Sequence, residues 1–262
     1  MLPIALTRLM PWIGLLVMGV LWGLAFSLAR LAVENGGTAL GMAFWQTALS
    51  STILIGFTSL RGRYFVPRRR HLGHFAILAL LGVTIPGVCY FLAASRVPSG
   101  VLAITVTLVP IFTYCFAVSL RLEAFALIRV GGVICGTIAI IMLVGPENSL
   151  PNRAATPWVL LACFSSLCYA GENIYLARWQ IPDIGPIRLA CGMNLTAAIM
   201  LAPLAVGFDQ FFWPVFPLGI LEWSVVGLAC ITAIAYTLYV VAVQNSGPVF
   251  ASQVGYLVTI FG

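Results

Sequence analysis

Glu172 is the acidic residue that lies deepest inside an apolar segment of the chain. It stands about 21 Å from the start of that segment at a helical rise of about 1.5 Å per residue. A carboxylate at such a depth costs a few kcal/mol unless it faces a cavity or a partner. One helix face would carry it together with Ser165, Cys168, Tyr169 and Tyr175. Two interpretations follow: a coupling or substrate-amine site, or a structural carboxyl bonded to a tyrosine or to Asn173 or reaching the inner interface.

Further polar residues occur at helical spacing in other apolar segments. Gln46 and Asn194 are amides at corresponding positions of the two halves, and they could bind a polar substrate or join helices at about 1–2 kcal/mol. Three helical stripes are Trp22-Phe26-Arg30, Thr232-Tyr236-Tyr239 and Ser252-Tyr256-Thr259. We interpret Arg30 and Glu34, four residues apart, as an outer-surface ion pair rather than a gate. The predicted substrate and coupling path comprises Glu172, Gln46, Asn194, Trp22, Tyr169, Tyr236 and Tyr256.

Catalytic chemistry has little support in the sequence. His71 and His74 are the only histidines, and they adjoin an arginine-rich loop whose positive charge disfavours a shared metal ion. An intramembrane serine hydrolase would need a general base near its serine. The two histidines stand beside the cytoplasmic arginine-rich loop instead, which weakens an enzyme interpretation. The chain has neither a phosphate-binding glycine loop nor an HExxH motif. We therefore predict a non-enzyme without catalytic residues, cofactor or metal.

The elements that must position these residues are membrane-spanning helices. The chain is 61% hydrophobic and 8% charged, whereas soluble domains average about 25% charged residues. Apolar runs of about 20 residues, long enough to cross a bilayer, fall at 11–33, 38–60, 72–95, 98–120, 125–145, 156–179, 185–207 and 219–243. A ninth run begins near Pro248 and reaches Gly262. The predicted fold class is all-α and integral to the membrane.

The arginines predict the orientation of these helices. All 13 basic residues are arginine, and arginines concentrate in cytoplasmic loops. A cytoplasmic N-terminus leaves three outside (Arg30, Arg96 and Arg153) and ten inside: Arg8, Arg61, Arg63, Arg68, Arg69, Arg70, Arg121, Arg129, Arg178 and Arg188. Because these arginines sit in short loops between helices, we expect them to orient the protein rather than to bind nucleic acid.

An internal repeat divides the chain into two halves. Ser99-Gly100 recurs as Ser246-Gly247, an offset of 147 residues, and similar offsets relate Trp12 to Trp158 and Gln46 to Asn194. The predicted units are 1–145 and 155–262. The first unit has five spans, and because this number is odd, the second unit would enter the membrane from the opposite side. Such inverted repeats are typical of secondary transporters whose site lies at the repeat interface. Two inverted five-helix repeats require ten helices, so with about nine present the second repeat is expected to be incomplete at its C-terminal end.

Several segments resemble one family of carriers. They are LWG at 21–23, AASRVPSG at 93–100, LVPIF at 108–112, the glycine-rich stretch 131–143, and 241–250 followed by SQVGY at 252–256. Together they resemble the drug/metabolite transporter superfamily, specifically its EamA-type ten-helix carriers. The chain departs from the family at 120–123, which reads LRLE where Gly-Glu-Arg is usual, and at Gln46, where many members carry arginine. The resemblance implies a bacterial inner-membrane protein, an exporter of amino acids or related metabolites, and a homodimer.

Together these patterns predict a secondary carrier of a small polar metabolite, embedded in the lipid bilayer, that works by alternating access. Glu172 is the candidate for proton coupling. The alternative from a different class is a non-transporting membrane sensor or scaffold. Such a protein would use the loop from Arg61 to Arg70 to hold a partner or anionic lipid.

Overall fold

All regular secondary structure in the described part of the protein is helical. The computed structural model describes residues 4–62, 64–127, 130–132, 134–135, 138, 155–179, 181 and 183–262. No strand occurs within these ranges. The helices are α1 (Ile4–Glu34), α2 (Ala39–Leu60), α3 (Arg69–Ala79), α4 (Ile85–Ala94), α5 (Ser99–Thr105), α6 (Leu108–Ser119), α7 (Thr156–Arg178), α8 (Pro186–Gly207), α9 (Ile220–Ser246), α10 (Pro248–Ser252) and α11 (Val254–Phe261).

The helices confirm the predicted all-α membrane class. In the described part of the chain, seven helical segments are long and apolar enough to cross a membrane, and they coincide with predicted runs to within a few residues. The predicted fifth run, 125–145, lies largely outside the described residues, as do Arg63, Arg129 and Arg153. The last run, from Pro248, consists of the two short helices α10 and α11.

Three of the apolar segments are interrupted in ways that hydropathy does not reveal. A π-helical turn, Leu80–Thr84, joins α3 to α4, and such turns often occur at functional sites. Two residues separate α5 from α6, because Pro110 has no N–H to donate to the Val106 carbonyl four residues earlier. Gln253 separates α10 from α11. The last two interruptions stand 147 residues apart, since Val106 and Gln253 follow directly on α5 and α10.

Helices α2 and α8 pack against each other in opposite directions. The start of α2 meets the loop after α8, where the Leu40 amide donates to Gln210 Oε1 at 3.0 Å. The end of α2 meets the start of α8, where Thr58 and Pro186 line one surface depression. The two helices are therefore antiparallel. Elsewhere α1 packs on α9 and α11, and α7 packs on α4 and α6. We call the side where α1 ends outer and the opposite side inner, following the predicted orientation.

Candidate functional site

A cavity of about 160 Å³ lies between helices of both halves of the chain. It extends from Ala29, Ala94 and Leu102, near the outer ends of their helices, down to Glu172. The polar or aromatic side chains on its wall are Trp22, Phe26, Gln46, Tyr90, Phe91, Tyr169, Glu172, Thr232, Tyr236 and Tyr239. Its mixed wall, mainly apolar with a few polar groups, is typical of a small-molecule site.

Glu172 occupies the inner end of this cavity. Its side chain is 1% exposed, and its Oε1 atom has no hydrogen-bond partner among the described residues. The carboxyl packs against the backbone of Gly82 in the π-helical turn, so closely that a methyl group at Gly82 would overlap it. The turn thus leaves room for an acidic side chain where an ordinary residue would exclude it.

Aromatic rings form most of the remaining wall. Trp22 meets Tyr236 and Tyr239 edge to face, with ring centroids 5.7 and 5.3 Å apart. On the opposite side Tyr90 stacks on Tyr169 at 6.2 Å. Glu172 lines the same cavity as Tyr169, Tyr236 and Tyr239. The carboxyl therefore lies within a ring of aromatic side chains.

Hydrogen bonds between helices hold the inner end of the cavity together. The Tyr236 hydroxyl donates to the Gly82 carbonyl, which joins α9 to the π-helical turn. The Tyr239 hydroxyl donates to Oδ1 of Asn173 on α7. Nδ2 of Asn173 in turn donates to the Thr113 hydroxyl on α6 at 3.0 Å. Each of these bonds crosses from one helical segment to another, so they tie four segments at one level.

Below these bonds the protein is a packed apolar core. Leu15 and Met18 on α1 and Phe75 and Leu78 on α3 are all 2% exposed or less, and they belong to one cluster. We call these four residues the inner core. Together with the polar bonds above it, the inner core separates the cavity from the inner side in this conformation.

Five of the seven residues predicted for the substrate path line the cavity: Trp22, Gln46, Tyr169, Glu172 and Tyr236. Gln46 Nε2 donates to the Thr232 hydroxyl at 2.7 Å, which links α2 to α9 across the wall.

Asn194 and Tyr256, the other two predicted residues, do not belong to the lining. Asn194 is fully buried and donates to the Ala190 carbonyl of its own helix at 2.8 Å. Tyr256 is 39% exposed, while its neighbour Gly255 faces the cavity.

Gly82 and Tyr239 are site residues that the predicted path omitted. A signal for Tyr239 was present, because it follows Tyr236 by three residues on the same helical stripe. Gly82 had no such signal, because its role depends on the π-helical turn and on a carboxyl ninety residues further along the chain.

The other charged groups that the structure describes lie away from the cavity wall. Arg30 and Glu34 form an ion pair at 2.6 Å at the outer end of α1, and Arg30 also donates to the Ala94 carbonyl at 2.8 Å. On the inner side Arg70 pairs with Asp183. In the part of the chain that the structure describes, no group of three histidine, cysteine or acidic side chains is placed to hold a metal ion.

Comparison with known proteins relates the whole chain to membrane transporters. Residues 10–145 match the EamA-like transporter family. The chain is 30% identical to the uncharacterized inner membrane transporter YedA of Escherichia coli (strain K12), covering 90% of this chain and 82% of that protein. It is 26% identical to a WAT1-related protein of Arabidopsis thaliana, covering 93% of this chain and 78% of that one. A crystal structure with 17% sequence identity matches 95% of the chain with a TM-score of 0.69, which shows a shared fold.

Proposed function

The chain belongs to the EamA-like transporter family, and from this premise we propose that it is a secondary carrier that exports a small polar metabolite, an amino acid or a related compound. It is a multi-pass transporter of the inner membrane. Alternating access and proton coupling through Glu172 complete the proposal. Transport, rather than catalysis, is the activity that the cavity supports.

The observation that carries the proposal is the position of Glu172. An ionised carboxyl at this depth costs a few kcal/mol unless it is paired or solvated. Within the described residues Oε1 has no hydrogen-bond partner, and no arginine or histidine lines the cavity. A proton or a cationic substrate group would relieve that cost. Glu172 could therefore bind one or the other in turn, which is the exchange that a proton-coupled exporter requires.

Alternating access is supported by structural features that occur twice in the chain, 147 residues apart. The interruptions after α5 and α10 stand 147 residues apart. The last residues of these helices, Thr105 and Ser252, each donate to the carbonyl three residues earlier, at 2.7 and 2.9 Å. Antiparallel packing of α2 on α8 is what an inverted pair of repeats, 1–145 and 155–262, would produce. Such repeats move against each other around a site near mid-membrane.

In this conformation the cavity occupies the outer part of the protein, and the inner side is closed. We propose that opening to the inner side breaks the Tyr236–Gly82 and Tyr239–Asn173 bonds and separates the inner core. Hydrogen bonds of this kind between membrane helices contribute about 0.6–1.7 kcal/mol each. Bonds of that size stabilise one state without preventing exchange with the other.

The test compares flux through the wild type and Glu172→Gln in proteoliposomes, with and without an imposed pH gradient. The glutamine keeps the size and hydrogen bonding of the side chain but cannot exchange a proton. We expect wild-type flux to respond to the gradient and the variant to lose that response. Asp209→Asn is the matched control, because Asp209 is exposed in an outer loop and its left-handed backbone, φ 54°, suits asparagine.

Two results would count against parts of the proposal. A Glu172→Gln variant that responds to the pH gradient as the wild type does would exclude Glu172 as the coupling group. Absence of flux for any substrate, with partner or lipid binding that is lost when Arg68 and Arg69 are neutralised, would favour the sensor or scaffold instead. These two arginines are exposed on the loop before and at the start of α3.

A further inference from the structure

The described part of the cavity wall contains one acidic side chain and no basic one. Glu172 is the only ionisable acidic residue among the described lining residues, and no arginine or histidine joins it there. The chain contains no lysine. A ligand with one positive charge and no negative charge would therefore balance the site.

Aromatic side chains complement that charge. Trp22, Tyr169, Tyr236 and Tyr239 line the cavity together with the carboxyl. The face of an aromatic ring attracts a cation, most strongly when both are removed from water. Aromatic rings around one carboxylate can therefore bind an organic ammonium group, because the carboxylate pairs with its charge and the rings attract it.

An amino acid would fit this site less well than the corresponding amine. Its carboxylate would enter a cavity whose described wall offers no cationic side chain, and burying an unpaired charge is unfavourable. Arg30, at the outer end, is already engaged with Glu34 and with the Ala94 carbonyl. Its guanidinium would have to leave both partners to reach a ligand next to Glu172.

We propose that the cavity binds organic monocations that have an apolar or aromatic body and lack a carboxylate, with the ammonium group paired to Glu172 and enclosed by the surrounding aromatic rings. This proposal rests on the proposed transport function and specifies its substrate class. It selects, among compounds related to amino acids, the decarboxylated amines. Neutral molecules of the same shape are expected to bind weakly, because they form no ion pair with the carboxyl.

Equilibrium binding to the full chain in lipid nanodiscs tests the proposal with three probes that share one aromatic body. These are 2-phenylethylamine, phenylalanine and 2-phenylethanol, which are a cation, a zwitterion and a neutral molecule. Calorimetry and quenching of tryptophan fluorescence measure each dissociation constant. We expect the amine to bind at least about tenfold more tightly than either of the others.

Glu172→Gln should weaken amine binding by about 30-fold or more, the usual effect of removing one partner of a buried charge pair, and leave phenylethanol binding little changed. Asp209→Asn should bind all three probes as the wild type does. Equal or tighter binding of phenylalanine would overturn the proposal. So would equal binding of the alcohol, or no binding of the amine in the millimolar range.

Flux measurements on the same preparations separate this proposal from the one on which it rests. A protein that transports some compound but prefers phenylalanine to the amine remains a carrier with a different substrate class. A protein that binds the amine through Glu172 but shows no flux of any compound contradicts the carrier function, and its binding site belongs to a sensor.

Discussion

Replacing Gly82 with alanine tests the central contact of the site. The alanine methyl group would overlap all three atoms of the Glu172 carboxyl group. Either the carboxyl must move or the π-helical turn must separate from α7. Displacement of the turn would also disturb the Gly82 carbonyl, which accepts the hydrogen bond from Tyr236. We therefore expect Gly82→Ala to destabilise the conformation whose inner side is closed.

The size of the effect follows from the geometry. Adding atoms to a packed interior usually costs about 1–3 kcal/mol, which corresponds to a factor of about 5–150 in an equilibrium constant. A gain in helix propensity of up to about 1 kcal/mol opposes this cost. Gly73→Ala measures that gain separately, because Gly73 is in the same segment, on α3, and a methyl group there meets no atom within 4 Å.

The assay is the unfolding free energy of each variant in detergent micelles, measured in a double-mutant cycle with Glu172→Ala. Gly82→Ala should be about 1–3 kcal/mol less stable than Gly73→Ala. Because Glu172→Ala removes the overlapping carboxyl, the double variant should recover at least about 1 kcal/mol of the loss. If Gly82→Ala is as stable as Gly73→Ala, or if its effect and that of Glu172→Ala simply add, the carboxyl does not lie against Gly82 and the reasoning fails.

Two further predictions concern polar contacts at different depths. Asn173→Ala and Tyr239→Phe should show a coupling of about 0.6–1.7 kcal/mol in unfolding free energy, since they share one interhelical hydrogen bond; a coupling near zero would contradict that bond. Arg70→Gln should lower the unfolding free energy by less than about 1 kcal/mol, because the side chains of Arg70 and Asp183 are 50% and 62% exposed. That small loss should shrink as salt is added to the unfolding assay, and a loss that is insensitive to salt would argue against an exposed ion pair.

The limits of the membrane helices that the structure describes could be predicted from sequence because they depend on local properties. A bilayer demands about 20 apolar residues per span, and the described helices begin and end within a few residues of the predicted runs. The family could be predicted as well, from motifs within these runs, and the match to residues 10–145 confirms it. The depth of Glu172 along its helix could also be predicted, because a helix rises by about 1.5 Å per residue.

Which polar side chains share a cavity depends on how each helix is rotated about its own axis. In a membrane the lipid-facing and protein-facing sides of a helix are both apolar, so hydropathy hardly constrains that rotation. The predicted repeat pairs Asn194 with Gln46, yet Gln46 lines the cavity and Asn194 donates a hydrogen bond within its own helix. Tyr256, like Tyr236, was predicted to line the cavity because it belongs to a stripe of polar residues at helical spacing. The interruption at Gln253 instead places its neighbour Gly255 toward the cavity.

Residue types and their spacing were enough to predict that this protein crosses the membrane many times, that it belongs to a family of carriers, and that one helix carries a deeply placed carboxyl. What surrounds that carboxyl depends on how the helices pack. Gly82 makes room for it through a π-helical turn, and tyrosines from α7 and α9 enclose it. These contacts join residues far apart in the chain, and their geometry follows from helix packing and backbone irregularity, which no local pattern of residues encodes.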